Sequence, residues 1–350
     1  MPSIWQPGQL LFVGFIGTAV PPPLAQRIAQ ARVGGVILFS RNIKSPEQLL
    51  RLCRDLHAAA PDDVPLLVAI DQEGGRVQRL RDPFTLWPPM RRVGSVGDLE
   101  STAAVGEALA TELIDYGIGL DFAPVVDVDT NPNNPVIGDR SFAREPGRVG
   151  EHACAFLRGM QKTGVAACAK HFPGHGDTRS DSHFELPRLE HDLDRLRAVE
   201  LPPFAAAVAE GVASVMTAHV LFPRLDRKRP ATLSPPIINL LREELGYDGV
   251  VFSDDLEMRA VADHFSVEQR TLGSLEAGVD SLLVCSDWSL AEEVLRLVEQ
   301  APDRLVEEAL RRLVALKGAY AAGARIGAEH RPQGPPYRAH RALATKLGLA

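Results

Sequence analysis

The sequence predicts an α/β protein built as a single-domain (β/α)8 TIM barrel. Three observations predict it. Eight short apolar runs recur along the 350 residues, helix-periodic segments separate them, and polar residues stand directly after the runs. The runs do not alternate apolar with polar, as expected for strands buried on both faces of a parallel sheet. A doubly wound sheet is the competing architecture. The count of eight and the placing of the polar residues favour the barrel.

The elements follow in order. The first run, 9–16, overlaps LLFVGFIGTAV, residues 10–20, which has the look of a signal-peptide core. The preceding MPSIWQPGQ carries no Lys or Arg, and the apolar stretch is too short to span a bilayer, so it reads as a buried first strand. A helix at 22–31 leads to the run 35–39, which ends in Ser40-Arg41-Asn42 before a helix at 46–59. The run 66–70 meets Asp71, and a helix covers 99–116. The run 119–123 continues toward Val128 past Asp127, and a helix covers 146–163. The run 165–169 meets Lys170-His171 before a helix at 193–210, and the run 214–218 meets His219 before a helix at 235–245. The run 249–252 meets Ser253-Asp254-Asp255 before a helix at 267–277. The run 281–284 meets Ser286-Asp287 one residue on, before helices at 289–299 and 304–321. In a barrel these strand ends share the face that holds the active site. Residues 1–322 are expected to form the catalytic barrel. Residues 323–350 read as a C-terminal tail, broken by RPQGPPY at 331–337 and ending in a helix at 338–347 that docks on the barrel.

Composition narrows the function. The net charge is −7 and no long Lys/Arg run occurs, which argues against a nucleic-acid partner and leaves a small-molecule sugar open. No membrane-spanning segment is expected. Four cysteines lie far apart with apolar flanks and no C-x-x-C pair, as in reduced core cysteines of a cytoplasmic protein.

The densest polar stretch is KHFPGHGDTRSDSH, residues 170–183. A metal site fits it poorly: Pro173-Gly174 keeps His171 and His175 off one helical face, and no cysteine or H-E-x-x-H supports zinc. A solvated loop explains Arg179 and Ser180 but not Lys170-His171 at a strand end. An acid/base reading does better. Asp181 stands two residues from His183, where a carboxylate can fix the ring's tautomer and favour imidazolium. The stretch FSDDLEM offers Asp254 and Asp255 at a barrel mouth, DQEGGRVQRL offers Asp71, Arg76 and Arg79, and IGDRSF offers Asp139 and Arg140. Carboxylates and cations that grip hydroxyls suit a sugar. Taken singly, each of these residues could as well serve a structural ion pair or a helix cap.

Together the motifs FSRN, DQEGGRVQR, FAPVVDV, NPVIGDRSF, KHFPGHGDTRSDSH, MTAHV and FSDDLEM resemble glycoside hydrolase family 3, most closely its single-domain bacterial β-N-acetylglucosaminidases. The resemblance covers roughly residues 8–320. It implies a retaining exo-β-N-acetylglucosaminidase in which Asp254 is the nucleophile and His183, partnered by Asp181, is the acid/base. It further implies that Asp71, Arg79, Arg140, Lys170 and His171 bind the terminal sugar. No metal or other cofactor is implied. The expected setting is a cytoplasmic monomer acting on peptidoglycan-derived muropeptides. Larger family members take their acid/base from a glutamate of a second domain, which agrees with finding it here in the DSH loop. Phosphorolysis of the same bond and a β-glucosidase of the same family are the alternatives.

Overall fold

The computed structural model describes residues 5–96, 98–329 and 334–348. Eight parallel strands close into a barrel in chain order: β1 Leu11–Val13, β2 Gly35–Leu38, β3 Leu67–Ile70, β4 Leu120–Asp121, β5 Ala166–Phe172, β6 Ser214–Thr217, β7 Val250–Asp255 and β8 Ser281–Val284. Closure comes from β8 pairing with β1, Leu11 opposite Leu282 and Val13 opposite Val284. This is the predicted (β/α)8 TIM barrel.

Inside the barrel, Phe252 takes the rings of Phe12 and Phe122 edge-on at 5.0 and 5.3 Å. Phe12 fits because β2 begins with glycine: a Cβ on Gly35 would lie 2.0 Å from the Phe12 ring. Outside, the helices Leu99–Ile114 and Pro146–Lys162 pack closely through Gly106 and Gly159. A Cβ on either would fall within about 2.2 Å of a backbone carbonyl of the other helix. Small residues at a crossing let the backbones approach.

Several element bounds differ from the sequence expectation, each for a physical reason. The first strand is short because Pro7–Leu10 forms a 3-10 turn, and Gln9 turns its side-chain amide to the carbonyls of Ala31 and Val33. The fourth ladder stops after Asp121, and Pro124 close behind has no N–H to extend it. The helix expected at 193–210 contains a wide turn at Leu196–Glu200, next to Pro202 and Pro203, which cannot donate. The helix expected to end at 321 runs as Asp303–Glu329, so the segment read as tail begins inside it. Its last turns are held by burial of Ala324 and Ala328, the latter against Gly117.

The terminal helix is Arg338–Lys346. It docks through buried Ala344 and Leu347, a His340–Glu112 contact at 2.8 Å and a Tyr337–Asp115 hydrogen bond at 3.0 Å. The break expected at 331–337 falls partly outside the described residues. All four cysteines are free thiols. No described helix is long and apolar enough to cross a membrane.

Candidate active site

The loops after the strands build one cavity of about 170 Å³ at the C-terminal end of the barrel. Its wall includes Asp71, Arg79, Arg140, Lys170, His171, His183 and Asp254, with Phe39, Glu73, His175 and Asp255 beside them. Seven of the eight expected residues therefore meet on one surface. The eighth, Asp181, stands behind His183.

The floor is an ion network. Lys170 is buried and bridges two carboxylates, Asp71 at 2.9 Å and Glu73 at 2.6 Å. Arg140 grips both oxygens of Glu73 at 2.8 Å, and Arg79 meets the second oxygen of Asp71 at 3.0 Å. Burial works against every one of these charges, and the partners outweigh it. Asp71 and Glu73 are held below the usual carboxylate range, while Lys170 and Arg140 are pushed up. All four stay charged across the neutral range. Such a network is rigid because moving one member strands the others.

Lys170 and His171 both reach the cavity although they are consecutive on β5. A register shift between Lys170 and Phe172 against β6 interrupts the alternation there. His171 is oriented from behind by Asp127, 2.7 Å from its Nδ1. Asp127 also accepts the backbone N–H groups of His171 and His175. Burial raises the cost of its charge, and the contacts with His171 and His175 together more than offset that.

Two adjacent carboxyls end β7, and their surroundings separate them. The Asp255 N–H donates to Asp254 Oδ1 at 2.8 Å. Burial opposes the Asp254 charge, but His219, His171 and that N–H hold its carboxyl below the ordinary range. His219 is itself pushed down, chiefly by its burial. Asp255 goes the other way: burial, Glu257 and Asp254 push it up to about 7. The surroundings thus favour the anion at Asp254 and hold the proton on Asp255 to a higher pH, a separation of roles by environment.

The loop after β5 carries the imidazole. His183 Nδ1 lies 2.7 Å from Asp181 Oδ1, which also accepts the His183 N–H at 2.9 Å. Burial opposes the Asp181 charge, and the His183 contacts hold it low. The His183 side chain keeps 64% of its surface exposed, so its outer nitrogen is free to meet a substrate. Buried His175 anchors the loop, with Thr178 at 2.7 Å and Ser182 at 3.2 Å from its two ring nitrogens. Burial, then His171, push its pKa down to about 4. It is a structural post. Among the described residues no group of three or more His, Cys, Asp or Glu is arranged around a metal position.

Two residues escaped the sequence reading. Glu73 is the central anion of the floor, and Asp127 sets the His171 ring. The signal for Glu73 was its place two residues after Asp71, on the same face of an extended segment. Asp127 was visible as a strand-end polar residue but had no partner in its own stretch.

A closed parallel barrel whose mouth gathers carboxylates, an Asp–His pair and a cationic floor defines a barrel glycoside hydrolase. The chain belongs to glycoside hydrolase family 3: the model described as "Glycosyl hydrolase family 3 N terminal domain" matches residues 7–316. A beta-hexosaminidase of Thiobacillus denitrificans is 41% identical over 291 residues, 81% of this chain and 80% of that one. One from Bordetella avium is 40% identical over 329 residues, 92% of this chain and 91% of that one. Native NagZ from Neisseria gonorrhoeae superposes with a TM-score of 0.84 at 36% identity, covering 96% of this chain and 97% of that one. A family 3 beta-N-acetylglucosaminidase from Paenibacillus sp. matches with a TM-score of 0.91 at 37% identity, covering 99% of this chain and 68% of that one.

Proposed function

We propose that the chain is a retaining exo-β-N-acetylglucosaminidase that uses Asp254 as nucleophile and His183, oriented by Asp181, as acid/base. The observation that carries this reading is that His183 and Asp254 line the same cavity. Of the two carboxyls at the end of β7, Asp254 is the one whose surroundings favour the anion.

In the first step Asp254 forms a bond to the anomeric carbon as the glycosidic bond breaks. Imidazolium His183 gives its proton to the leaving oxygen. The product is a glycosyl ester on Asp254, a neutral imidazole and the released aglycone. In the second step neutral His183 takes a proton from water as the water oxygen attacks the anomeric carbon. The Asp254 carboxylate leaves and imidazolium is restored. Asp71, Lys170, Arg140, Arg79 and His171 bind the hydroxyls of the terminal sugar. Their ion pairs with Asp71 and Glu73 fix the cations in place, so the hydrogen bonds they offer are set before the sugar arrives. The cavity's small size supports release of one terminal residue at a time.

The substrate reading follows the relatives, which carry hexosaminidase names. The physiological role we propose is removal of GlcNAc from peptidoglycan-derived muropeptides by a cytoplasmic monomer. A 5-fluoro GlcNAc donor that traps the ester tests the mechanism. Peptide mapping of the trapped protein is expected to find the label on Asp254, and a label on Asp255 or no label would overturn the assignment. Product analysis with and without inorganic phosphate decides between water and phosphate as acceptor. N-acetylglucosamine is the expected product in both; its 1-phosphate as the main product would overturn hydrolysis.

A further inference from the structure

The F-S-R-N motif at 39–42 takes no part in the chemistry above, yet it stands at the edge of the sugar pocket. Phe39 follows β2 directly, and its ring lines the cavity. Two guanidinium groups lie over that one ring. The central carbon of Arg41 is 4.2 Å from the ring centre and that of Arg79 is 5.4 Å from it. The face of an aromatic ring carries partial negative charge and attracts a cation at such distances.

The two pocket arginines are held differently. Arg140 grips Glu73 through two nitrogens, which fixes the plane of its guanidinium. Arg79 meets Asp71 through one nitrogen, at 3.0 Å, and its Nε is buried with no hydrogen-bond partner among the described residues. One such contact places one nitrogen but lets the plane turn about it. The Phe39 ring supplies the second constraint, and the ring is itself held from behind. The Phe39 N–H donates to Asn42 Oδ1 at 2.9 Å. Buried Asn42 donates in turn to the carbonyls of Phe15 and Gly17, in the loop after β1, at 3.0 and 2.8 Å. Arg41 donates to the Phe15 carbonyl at 3.0 Å and to the carbonyl of Cys285, just past β8. The motif thus ties the ends of β8, β1 and β2 together and carries the ring at their edge.

We propose that Phe39 is a positioning residue: its ring, steadied by Arg41, sets the plane of the Arg79 guanidinium at the wall of the sugar pocket. The Arg79 donors are thereby aimed before the sugar arrives, and freeing the plane weakens binding more than turnover. The proposal rests on the glycosidase reading above and deepens it at the same site.

The test replaces Phe39 by phenylalanines carrying one, two and three ring fluorines. These nearly keep the ring's size, so the chain is expected to fold, and they withdraw charge from its face step by step. On an aryl N-acetylglucosaminide, KM is expected to rise with each fluorine, to about fivefold at three, with kcat changed by less than about twofold. Phe39→Leu should raise KM about tenfold, and Phe39→Tyr, which keeps the ring face, should stay within about twofold of the unaltered chain. The same fluorine series in an Arg79→Gln background is expected to leave kcat/KM flat. A flat series with Arg79 in place would overturn the proposal. So would a graded series without Arg79, because the ring would then act on the sugar directly. A reading independent of turnover is the Arg79 Nε–H resonance. The ring is expected to shift it upfield and Phe39→Leu to remove that shift; an unmoved resonance would overturn the proposal. Failure of the unaltered chain to cleave the aryl glycoside would overturn the glycosidase reading, and is told apart because the resonance reports on the ring and Arg79 without substrate.

Discussion

Glu73 shows how much one residue carries at this site. It is buried between Arg140 and Lys170, and burial alone would keep its carboxyl protonated; the two cations reverse that. Glu73→Gln keeps the shape but leaves two buried cations short of an anion, and is expected to cost about 3–5 kcal/mol in urea unfolding at pH 7. The sign of its pH dependence follows from the depressed folded pKa. The stabilisation is fully present above the ordinary glutamate value of 4.5 and is lost as pH falls toward the folded value. The gap between Glu73→Gln and the unaltered chain should therefore narrow below pH 4.5. His219 is a positioning residue of another kind. Its Nε2 donates to the Asp255 carbonyl at 3.0 Å, and Thr232 holds its Nδ1 at 2.7 Å. The same Asp255 residue gives its N–H to Asp254. His219→Ala is expected to lower kcat about tenfold with KM little changed, measured on an aryl N-acetylglucosaminide. An equal rise in KM would point instead to a collapsed pocket.

At the scale of elements, the loop after β5 is the clearest case of local sequence setting local geometry. Asp181 and His183 are two residues apart and bond directly, so the pair was readable before any tertiary contact was known. What tertiary structure adds is the anchoring: Ser182 is held by His175, and its carbonyl by the Ala260 N–H at 3.2 Å. His183→Ala should therefore lose at least 100-fold in kcat/KM on a disaccharide, whose leaving oxygen needs a proton, and much less on an aryl glycoside with an acidic leaving group. Equal losses on both would remove His183 from the acid role. The strands were legible because each is a continuous apolar run. Their ends were less so, since Pro124 and the turn at Pro7–Leu10 cut ladders that hydropathy alone extends.

At the scale of the whole molecule, a buried lysine far from the site shapes stability. Lys317, on the long helix Asp303–Glu329, is almost fully buried, with Gln9 Oε1 as acceptor at 2.6 Å and the Trp5 ring 5.3 Å away. Burial pushes its pKa from 10.5 down to about 7. Between those values the unfolded chain binds a proton that the folded chain does not, so stability rises with pH across the window and is lowest below about 7. Lys317→Met is expected to flatten that slope and to stabilise the protein by ~1–4 kcal/mol at pH 6, read from thermal unfolding at several pH values. A steeper slope, or lost stability at pH 6, would contradict the assignment.

By itself the sequence determined the eight strands, their order and the face on which polar groups collect. Those depend on apolar periodicity and on residues adjacent in the chain. It also carried the Asp181–His183 pair for the same reason. Tertiary structure alone decided the partners of Lys170, 99 residues from Asp71, and of Arg140, 67 residues from Glu73. It alone joined His171 to Asp127 and extended the last long helix over Gly117. These choices have no local signal, because which charges meet is fixed only when closure of the barrel brings the ends of distant strands onto one rim.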